Sequence, residues 1–522
     1  MNDLLQQDFG LIPDLIREHA AQAPARRALV EGGRTLTYGA LDALMDRTAA
    51  ALQRDGVQVG DAIAICASSS IEYAAVFLGA LRAGVAVAPL APSSTPESLL
   101  RMAADAQAKL FFLDAGVAEA LDAAPMAAAA AAAAMPRIAL DGCAAGRALG
   151  DWLAPPGSKP ARAEIRPDTP FNIIYSSGTT GEPKGIVQGH GMRWAHVQRG
   201  DQFSYGPGTV TVLATPLYSN TTLVMFFPTL AFGGTVVLMP KFDALGYLQL
   251  AQAQRATHTM LVPVQYQRIM ARPEFDSFDL SSFLFKFSTS APFSAALKAD
   301  VLGRWPGGLV EYYGMTEGGG TCILQAHLHP HKLHTVGQPA PTSDIRLIDE
   351  QGREVPRGKG DECVGEVVGH SPGMMTGYHG QPGKTREAEW FDPAGKRFIR
   401  TGDIGRFDED GFLTLFDRKK DMIISGGFNI YPSDLEAVLR EHPVVADVAV
   451  VGVPSEAWGE TPVAFVVGRT GNDTTADALL QWFNGRVGKT QRLAALQFID
   501  ELPRSAIGKV LKRELRERYA AP

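Results

Sequence analysis

Alternating runs of apolar and polar residues divide the first part of the chain into helices and strands. Residues 11–22 place apolar side chains at helical spacing before Pro24, and the turn at residues 31–34 predicts a β-hairpin. The following elements are predicted as a helix over 38–54, a strand over 62–66, a helix over 71–82, a strand over 85–90, a helix over 95–106 and a strand over 109–113. This alternation is typical of an α/β fold with a mainly parallel sheet.

The remaining residues show three further patterns. Strand-like runs at 210–214 and 235–239 alternate with helical stretches such as 247–255, which predicts a second α/β block. Residues 341–406 carry short β-type runs separated by Gly and Pro, a pattern typical of a small antiparallel barrel. Beyond the charged residues 417–421 the pattern begins again, and the last roughly 100 residues can form a separate domain.

Composition restricts the partners. With 522 residues the chain needs two or more cores, and its net charge of -7 argues against a nucleic-acid surface. The four cysteines form no CxxC pair, so neither a zinc site nor a disulfide framework is indicated. The N-terminus has no basic apolar leader, and outside an alanine tract at 127–134 no uncharged apolar run reaches about 18 residues. We therefore expect a cytoplasmic protein with small-molecule partners and no integral membrane segment, and a homodimer stays open.

The most informative segment is Tyr175–Gly185, which reads YSSGTTGEPKG and follows an apolar strand. Its glycines allow a turn that points N–H groups inward, and its hydroxyls and one lysine supply further donors, so it predicts a polyphosphate cradle. It is not a Walker loop, because Pro183 stands where the second glycine belongs and no Ser or Thr follows Lys184. A flexible surface turn is the alternative.

Four further clusters combine glycine turns with side chains that can act chemically. They are Tyr312–Glu317 (YYGMTE), Thr401–Asp403 (TGD), residues 417–432 with the pair Gly426-Gly427, and Pro503–Lys509 (PRSAIGK). In order and spacing, the cradle and these clusters resemble the adenylate-forming superfamily, which includes acyl-CoA synthetases, adenylation domains of peptide synthetases and luciferases. The resemblance extends over nearly the whole chain, from Leu36-Thr37-Tyr38 to Lys509.

The resemblance implies a fold and a reaction. The expected fold is α/β: a large N-terminal domain, residues 1–417, of two stacked α/β sheet subdomains plus a small β-barrel, and a small mobile α+β C-terminal domain, residues 418–522. The expected reaction joins a carboxylate to ATP as acyl-AMP with release of pyrophosphate, and then transfers the acyl group to the thiol of CoA. The expected cofactors are ATP, Mg²⁺ and CoA.

The resemblance also implies residue roles. Lys509 would bridge the substrate carboxylate and the α-phosphate, Thr316 would donate to the α-phosphate, and Glu317 would hold Mg²⁺. Lys420 would be the hinge between the domains. The implied ATP and AMP site consists of Ser176, Ser177, Gly178, Thr179, Thr180, Gly181, Lys184, Ser290, Ala291, Pro292, Tyr312, Tyr313, Gly314, Asp403 and Arg418. The implied CoA contacts are Ser425, Gly426, Gly427 and Trp458.

The acid is predicted from the segment Pro216–Thr222. The implied acyl pocket consists of Tyr218, Ser219, Asn220, Thr221, Gly318 and Gly319. Many relatives read Pro-Leu-Phe-His here, whereas Ser219 replaces the His in this chain, and the absence of an acidic residue argues against amino acids. Phe226, Phe227 and the glycines at 318–320 predict an apolar pocket with open space, or else buried helix aromatics and a loop.

The leading prediction is a CoA ligase for a fatty or similarly apolar acid. An aromatic acid such as a benzoate or cinnamate, or a carrier protein in place of CoA, is an alternative. From other classes, a catalytically inactive nucleotide-binding module and a phosphotransferase remain.

Overall fold

The computed structural model describes residues 3–123, 135–176, 184–358, 360–418, 421–425, 428–455, 458–469, 474–488, 491–505 and 508–520. Its α-helices are Ile12–Gln22 (α1), Tyr38–Arg54 (α2), Ile71–Arg82 (α3), Pro96–Asp105 (α4), Ala115–Asp122 (α5), Leu149–Trp152 (α6), His190–Gln198 (α7), Asn220–Ala231 (α8), Ala244–Gln254 (α9), Pro263–Met270 (α10), Ala295–Arg304 (α11), Pro382–Glu387 (α12), Pro432–Arg440 (α13), Ala476–Asn484 (α14) and Lys512–Ala520 (α15).

The strands alternate with these helices over most of the chain. They are Arg27–Glu31 (β1), Arg34–Thr37 (β2), Ala62–Cys66 (β3), Ala86–Leu90 (β4), Ala108–Leu113 (β5), Arg137–Ala139 (β6), Arg147–Ala148 (β7), Pro170–Ser176 (β8), Lys184–Gly189 (β9), Val210–Leu213 (β10), Thr235–Leu238 (β11), His258–Leu261 (β12), Phe285–Ser288 (β13), Gly308–Tyr313 (β14), Cys322–Gln325 (β15), Gln338–Pro339 (β16), Asp344–Ile348 (β17), Gly365–His370 (β18), Gly377–Tyr378 (β19), Glu389–Phe391 (β20), Arg397–Phe407 (β21), Leu413–Arg418 (β22), Ile423–Ser425 (β23), Phe428–Ile430 (β24), Val445–Ser455 (β25), Gly459–Gly468 (β26) and Ala495–Phe498 (β27). The predicted α/β alternation is confirmed.

Helices α2 and α3 and strand β3 have the predicted bounds. Each of the two helices begins after a hydroxyl residue whose side chain accepts a hydrogen bond from a backbone N–H of the first turn: Thr37 from Ala40 and Ser70 from Tyr73. Such N-caps satisfy donors that have no partner inside the helix. Local sequence therefore fixes where these helices begin.

The chain forms two compact units. The first consists of Met1–Leu333, Pro339–Asp344 and Gly369–Ile399, and the second of His334–Gln338, Ile345–Val368 and Arg400–Pro522. The predicted domain boundary at 417/418 remains a prediction, although the larger unit is mostly N-terminal and the smaller one mostly C-terminal.

Two sheets organise the first unit. One has the strand order β16-β15-β14-β13-β12-β10-β11-β1-β2, and its strands from β14 to β1 are parallel to their neighbours in this order. The other has the order β19-β9-β8-β4-β3-β5-β6-β7, in which β8 and β9 form an antiparallel hairpin. A single large core of aliphatic and aromatic side chains includes residues from both sheets and from α1, α2, α3 and α8.

The second unit is built around β-structure. Strand β21 pairs with β22 and β18, and β18 with β17, in the region where a small barrel is predicted. The C-terminal sheet has the order β24-β23-β26-β25 with β27 beside β26, and α13 packs its Leu435 and Leu439 into the same core as β25. The long hairpin β25–β26 pairs over ten register positions and is the central element of the C-terminal sheet.

A buried ion cluster joins α1, α2 and α3. The carboxylate of Asp46 is 1% exposed and lies 2.5 Å from Arg17, 2.8 Å from Arg82 and 2.6 Å from Lys159. Burial raises the pKa of Asp46, but the Lys159 hydrogen bond and the charges of Arg82 and Arg17 outweigh it, so that the pKa is lowered overall. A lowered carboxyl pKa stabilises the fold above the unfolded-state pKa of about 4, and this stabilisation is lost as the pH falls through the folded-state pKa.

We expect Asp46→Asn to lower the free energy of unfolding at pH 7 by about 2 kcal/mol, because the buried Arg82 and the more exposed Arg17 and Lys159 lose charge-assisted hydrogen bonds to this carboxylate. Urea unfolding at pH 7 and near pH 3 measures this, and the difference from wild type should shrink at the lower pH. The matched control is Asp122→Asn, whose carboxylate is 64% exposed beside Arg137. A loss of stability at pH 7 no larger than that of the control would contradict the prediction.

No helix in the described ranges is long and apolar enough to cross a membrane. None of the four cysteines, all of which lie in those ranges, forms a disulfide. The alanine tract at 127–134 lies outside the described residues.

Candidate active site

Three predicted site segments follow parallel strands of the first sheet. Residues 216–222 come after β10, residues 289–292 after β13, and residues 314–317 after β14. Because β10, β12, β13 and β14 run parallel, their carboxyl ends lie at one edge of the sheet. That edge is where open α/β sheets bind ligands.

Side-chain hydrogen bonds join these segments to each other. The hydroxyls of Thr221 and Ser290 lie 2.6 Å apart, and the Thr289 hydroxyl donates to the Tyr312 carbonyl at 2.8 Å. Ser290 has a φ of +79°, in the left-handed region that costs a non-glycine residue energy. The Tyr312 ring stacks on Phe287 with centroids 5.6 Å apart, so this partly buried ring packs against the core. Tyr313 is the next aromatic residue at the end of the strand.

The loop predicted to cradle phosphates is carried by the hairpin β8–β9. Ser176 and Lys184 are register partners at the end of this hairpin. Of Ser176 only the main chain is described, and Ser177, Gly178, Thr179, Thr180 and Gly181 lie outside the described residues. At the base of the loop the Tyr175 hydroxyl donates to Asp105 at 2.6 Å, which fixes the end of β8 against α4.

Tyr378, which belongs to none of the predicted motifs, contacts the predicted catalytic residue Glu317 and the predicted ATP-binding residue Lys184. Its hydroxyl donates to Oε1 of Glu317 at 2.9 Å, and its ring centroid lies 5.3 Å from the Lys184 ammonium. Strand β19 places it there by pairing with β9, with Tyr378 opposite Ile186. Burial, and then the charge of Glu317, raises the pKa of Tyr378. The phenol therefore stays a hydrogen-bond donor to the carboxylate.

A second set of residues that the sequence analysis did not single out lies beneath the site. The Gln188 amide donates to the Thr316 carbonyl at 2.6 Å, and its oxygen accepts from Asn172 at 3.0 Å and from Arg193. Asn172 and Gln188 are fully buried on paired strands. Polar residues inside the apolar runs of β8 and β9 were the signal that could have identified them.

Backbone packing accounts for the glycines at 318 and 319, whereas the open space predicted beside them stays a prediction. A Cβ on Gly318, where φ is +73°, would lie 1.8 Å from the Gly373 carbonyl oxygen. A Cβ on Gly319 would lie 2.8 Å from the Gly369 oxygen and from Cβ of Ile399. The two glycines therefore permit close approach of two backbone segments.

Of the two alternatives for Phe226 and Phe227, an apolar pocket or buried helix aromatics, the structure shows buried helix aromatics. They are at most 1% exposed, and both belong to the large core of the first unit, where the Phe227 ring lies 5.0 Å from the ring of Phe171. The polar side chains of the adjoining segment are already bonded within the fold. Ser219 accepts from the Thr221 N–H, the Asn220 oxygen from Arg193, and the Thr222 hydroxyl donates to Pro216. Tyr218 is half-buried, and burial raises its pKa.

In the second unit, Asp403 lies on β21 opposite Arg418 of β22. The Asp403 N–H donates to the Thr401 hydroxyl at 3.0 Å, and that hydroxyl donates to the Val367 carbonyl at 2.8 Å. The preceding Gly402 has a φ of +71°. The TGD cluster is thus a hydrogen-bonded segment within β21 with a left-handed Gly402, while only the main chain of Arg418 is described.

Ser425 and Trp458 lie close together where the end of β23 meets the start of β26. Ser425 pairs with Gly459, the residue after Trp458, and is 7% exposed, whereas Trp458 is 55% exposed. The hinge residue Lys420 and the pair Gly426 and Gly427 lie outside the described residues.

Lys509 lies on an exposed turn in the second unit. The Ser505 N–H donates to the Lys509 carbonyl at 2.8 Å, and Gly508 has a φ of +76°. Arg504 fixes the turn by donating to the Gly508 carbonyl and to Asp447, both at 2.6 Å. These bonds hold the turn within the second unit, and Lys509 itself is exposed.

The chain belongs to a known enzyme family. The AMP-binding enzyme family model matches residues 16–379, and the AMP-binding enzyme C-terminal domain matches residues 434–509. It is an AMP-forming acid–CoA ligase.

Relatives and a solved structure agree with this membership. The indoleacetate–CoA ligase of Aromatoleum aromaticum is 33% identical over 98% of both chains. The long-chain-fatty-acid–CoA ligase FadD13 of Mycobacterium tuberculosis is 30% identical over 97% of this chain and 98% of its own. The ATP-bound MatB structure from Rhodopseudomonas palustris has a TM-score of 0.85 and 31% identity, covering 98% of this chain and 99% of its own. The family resemblance and the fold class predicted from the motifs are confirmed.

Proposed function

We propose that this ligase converts an apolar carboxylic acid without an amino group into its CoA thioester through an acyl-adenylate. The observation that carries this proposal is the state of the segment 216–222. It contains no acidic residue for a substrate ammonium, and the polar side chains of Ser219, Asn220, Thr221 and Thr222 already have hydrogen-bond partners within the protein. If the segment 216–222 lines the acyl pocket, as we propose, it offers mainly apolar contact to the acyl group.

In the proposed reaction a carboxylate oxygen attacks the α-phosphorus of ATP, and the bond from that phosphorus to pyrophosphate breaks. The sulfur of CoA then attacks the acyl carbon, and AMP leaves. Two like charges at 4 Å repel by about 1 kcal/mol in water and about 4 at an effective dielectric of 20, so the first step needs cations and N–H donors. Lys509, Thr316 and Lys184 take these roles in the proposal.

The remaining predicted residues complete the proposed site. Tyr313 and the segment 290–292 line the adenine, Asp403 and Arg418 bind the ribose, and rotation at Lys420 exchanges Lys509 for the glycine segment that admits CoA. After rotation the adenylate is separated from the lysine, which limits its hydrolysis.

Glu317 is the residue proposed to hold Mg²⁺. Within the described ranges no group of three or more His, Cys, Asp or Glu side chains could hold a metal ion. A single carboxylate nevertheless fits, because Mg²⁺ in ATP sites is bound through one or two carboxylates together with phosphates and water. When bound, the ion neutralises charge on the phosphates. The chain's own contribution is the carboxylate, fixed by Tyr378.

Two acid classes have support from relatives. The indoleacetate–CoA ligase is named for an aromatic acid, and FadD13 for long-chain fatty acids. The sequence motifs favour a fatty acid as the substrate. The somewhat higher sequence identity to the indoleacetate–CoA ligase favours an aromatic acid. Neither needs an ionic partner in the segment 216–222.

A panel of acids tests the proposal by pyrophosphate release. We expect activity with at least one fatty or aromatic acid, AMP and not ADP as the nucleotide product, and a CoA thioester detected by mass spectrometry. Activity confined to amino acids, or ADP formation, would overturn it. If only a phosphopantetheine carrier protein accepts the acyl group, the adenylation part holds and the CoA part fails.

Removing one hydroxyl tests the role of Tyr378. We expect Tyr378→Phe to raise the Mg²⁺ concentration for half-maximal pyrophosphate release about tenfold, because a hydrogen bond to a charged group contributes about 1.5–3 kcal/mol. The shift in Tm that ATP produces should require more Mg²⁺ by a similar factor.

The matched control is Tyr266→Phe, which removes a buried hydroxyl that donates to the Phe287 carbonyl. It should lower Tm without changing the Mg²⁺ requirement. Equal Mg²⁺ dependence in wild type and Tyr378→Phe would refute a positioning role for this hydroxyl.

A further inference from the structure

Arg193 on α7 is a buried cation in an unusual environment. Its side chain is 1% exposed, and the guanidinium carbon lies 5.8 Å from the ring centroid of Phe171 and 5.7 Å from that of Phe227. In the described part of the chain, no carboxylate lies within ion-pair distance of it. Burial lowers the pKa of Arg193 to about 9. An ionised group without a counter-charge is costly to bury, so hydrogen bonds to other groups must offset that cost.

The hydrogen-bond partners of Arg193 are neutral amide oxygens. Its Nε donates to Asn172 at 3.2 Å, and one terminal nitrogen donates to Asn220 at 2.7 Å and also to Gln188. We call Arg193, Asn172, Gln188 and Asn220 the Arg193 network. Its members come from β8, α7, β9 and the first residue of α8.

Each branch of the Arg193 network ends at a wall of the candidate active site. Asn172 and Gln188 lie on the two strands that flank the predicted phosphate loop. Gln188 holds the Thr316 carbonyl, and Glu317 follows directly. Asn220 precedes Thr221, whose hydroxyl contacts Ser290.

The orientation of Gln188 depends on the guanidinium. The Gln188 oxygen accepts from both Arg193 and Asn172, so its amide nitrogen must point to the Thr316 carbonyl. Without the Arg193 donor, the amide loses one of the two bonds that fix this orientation. Arg193 therefore acts on Thr316 through one intervening side chain.

We propose that Arg193 is a positioning residue for adenylation: it holds the phosphate-loop hairpin, the Thr316-Glu317 turn and the start of α8 in one arrangement. The positive charge of Arg193, which no carboxylate neutralises in the described part of the chain, also lies near the segments proposed to bind two anions, ATP and the substrate carboxylate. The inference rests on the proposed roles of Thr316 and of the loop, but not on which acid is used.

Another buried arginine of the first unit shows the contrast. Arg82 is 8% exposed, but it pairs with Asp42 at 2.6 Å and Asp46 at 2.8 Å, and it contacts none of the predicted site residues. It is the matched control for the loss of a buried guanidinium.

The test compares Arg193→Met, Gln188→Leu, the double variant, Arg193→Lys and Arg82→Met. For each, Tm, the kcat and KM for ATP in pyrophosphate release, and the Tm shift caused by ATP without acid are measured, with kinetics taken well below the variant's own Tm. We expect Arg193→Met and Gln188→Leu each to lower kcat/KM for ATP about 10- to 100-fold. The double variant should lose less than the product of the two single losses, because both single variants break the Arg193–Gln188 bond.

Arg193→Lys should recover part of the loss, since it keeps the charge but not the planar fork. Arg82→Met should lower Tm and leave kcat/KM for ATP as in wild type. The proposal is overturned if folded Arg193→Met or Gln188→Leu has the wild-type kcat/KM, if their effects multiply in the double variant, or if Arg82→Met loses as much. Should Arg193→Met not fold, Gln188→Leu alone decides by the same criterion.

These outcomes are separate from those of the acid panel. A wrong acid class appears in the wild type, which would then use another acid. A wrong role for Arg193 appears in the comparison of the variants with the wild type, measured with whichever acid the wild type takes.

Discussion

Lys509→Ala is expected to reduce acyl-AMP formation about 100- to 1,000-fold while leaving thioester formation from supplied acyl-AMP within a few-fold of wild type. The factor is typical for removing one group that stabilises charge developing in a transition state. The two half-reactions separate because the proposed lysine acts on the carboxylate and α-phosphate, whereas the thiol attacks an adenylate that is already formed. Pyrophosphate release and CoA-thioester formation are measured separately on the same preparation.

The local structure supports a clean comparison. Lys509 is exposed, and the turn that carries it is held by Arg504, Ser505 and Asp447 through bonds that do not need the lysine side chain. We therefore expect the turn to persist in the variant, whose Tm is measured beside that of the wild type. The control is Arg513→Ala, a cation 71% exposed on α15 that pairs with Glu517. Equal loss in both half-reactions, or an effect shared with Arg513→Ala, would remove Lys509 from the adenylation step.

The elements with strong periodicity were predictable because local interactions decide them. Helices α2 and α3 have apolar faces and hydroxyl caps, Thr37 and Ser70, within a single segment of sequence. The motif segments were predictable for another reason, since five clusters in a fixed order identify a family. Strand-end placement then follows, because the segments after β10, β13 and β14 share one edge of a parallel sheet.

What could not be predicted depends on contacts between residues distant in sequence. Tyr378 meets Glu317, 61 positions away, only because β19 pairs with β9. Gln188 and Thr316 are 128 positions apart, and in sequence Arg193 resembles an ordinary charge on a helix. The sequence could not assign Phe226 and Phe227 to a pocket or to the core, because apolar residues line apolar pockets and cores alike.

The residues of the candidate site therefore fall into two classes that differ in how well the sequence predicts them. The groups proposed to touch substrate stand in recognisable motifs, whereas the residues that orient them are scattered polar positions within otherwise apolar strands and helices. Asn172 and Gln188 interrupt β8 and β9 and are fully buried. Burying amides and a guanidinium costs free energy unless they are hydrogen-bonded. Their presence beside Thr316 indicates that this hydrogen-bond network serves to fix the position of Thr316.

The close approach at Gly318 predicts the largest structural effect of a single methyl group. An antiparallel bridge joins Gly318 to Met374, and the Met375 N–H donates to the Glu317 carbonyl at 2.8 Å. A Cβ at Gly318 would lie 1.8 Å from the Gly373 oxygen, so Gly318→Ala must separate these two segments. The displacement begins one residue from Glu317.

We expect Gly318→Ala to lower the free energy of unfolding by about 4 kcal/mol, combining left-handed strain with overpacking. Adenylation should fall about 100-fold, the order expected for a displacement of about 1 Å at a catalytic group. The matched control is Gly395→Ala: its φ of +81° gives similar strain, but nothing lies within 4 Å of its Cβ position, so it should cost only about 1–2 kcal/mol and leave adenylation unchanged. Urea unfolding and pyrophosphate release measure both. Equal behaviour of the two variants would show that the 317–319 turn yields to the methyl group, and that Glu317 does not depend on this contact for its position.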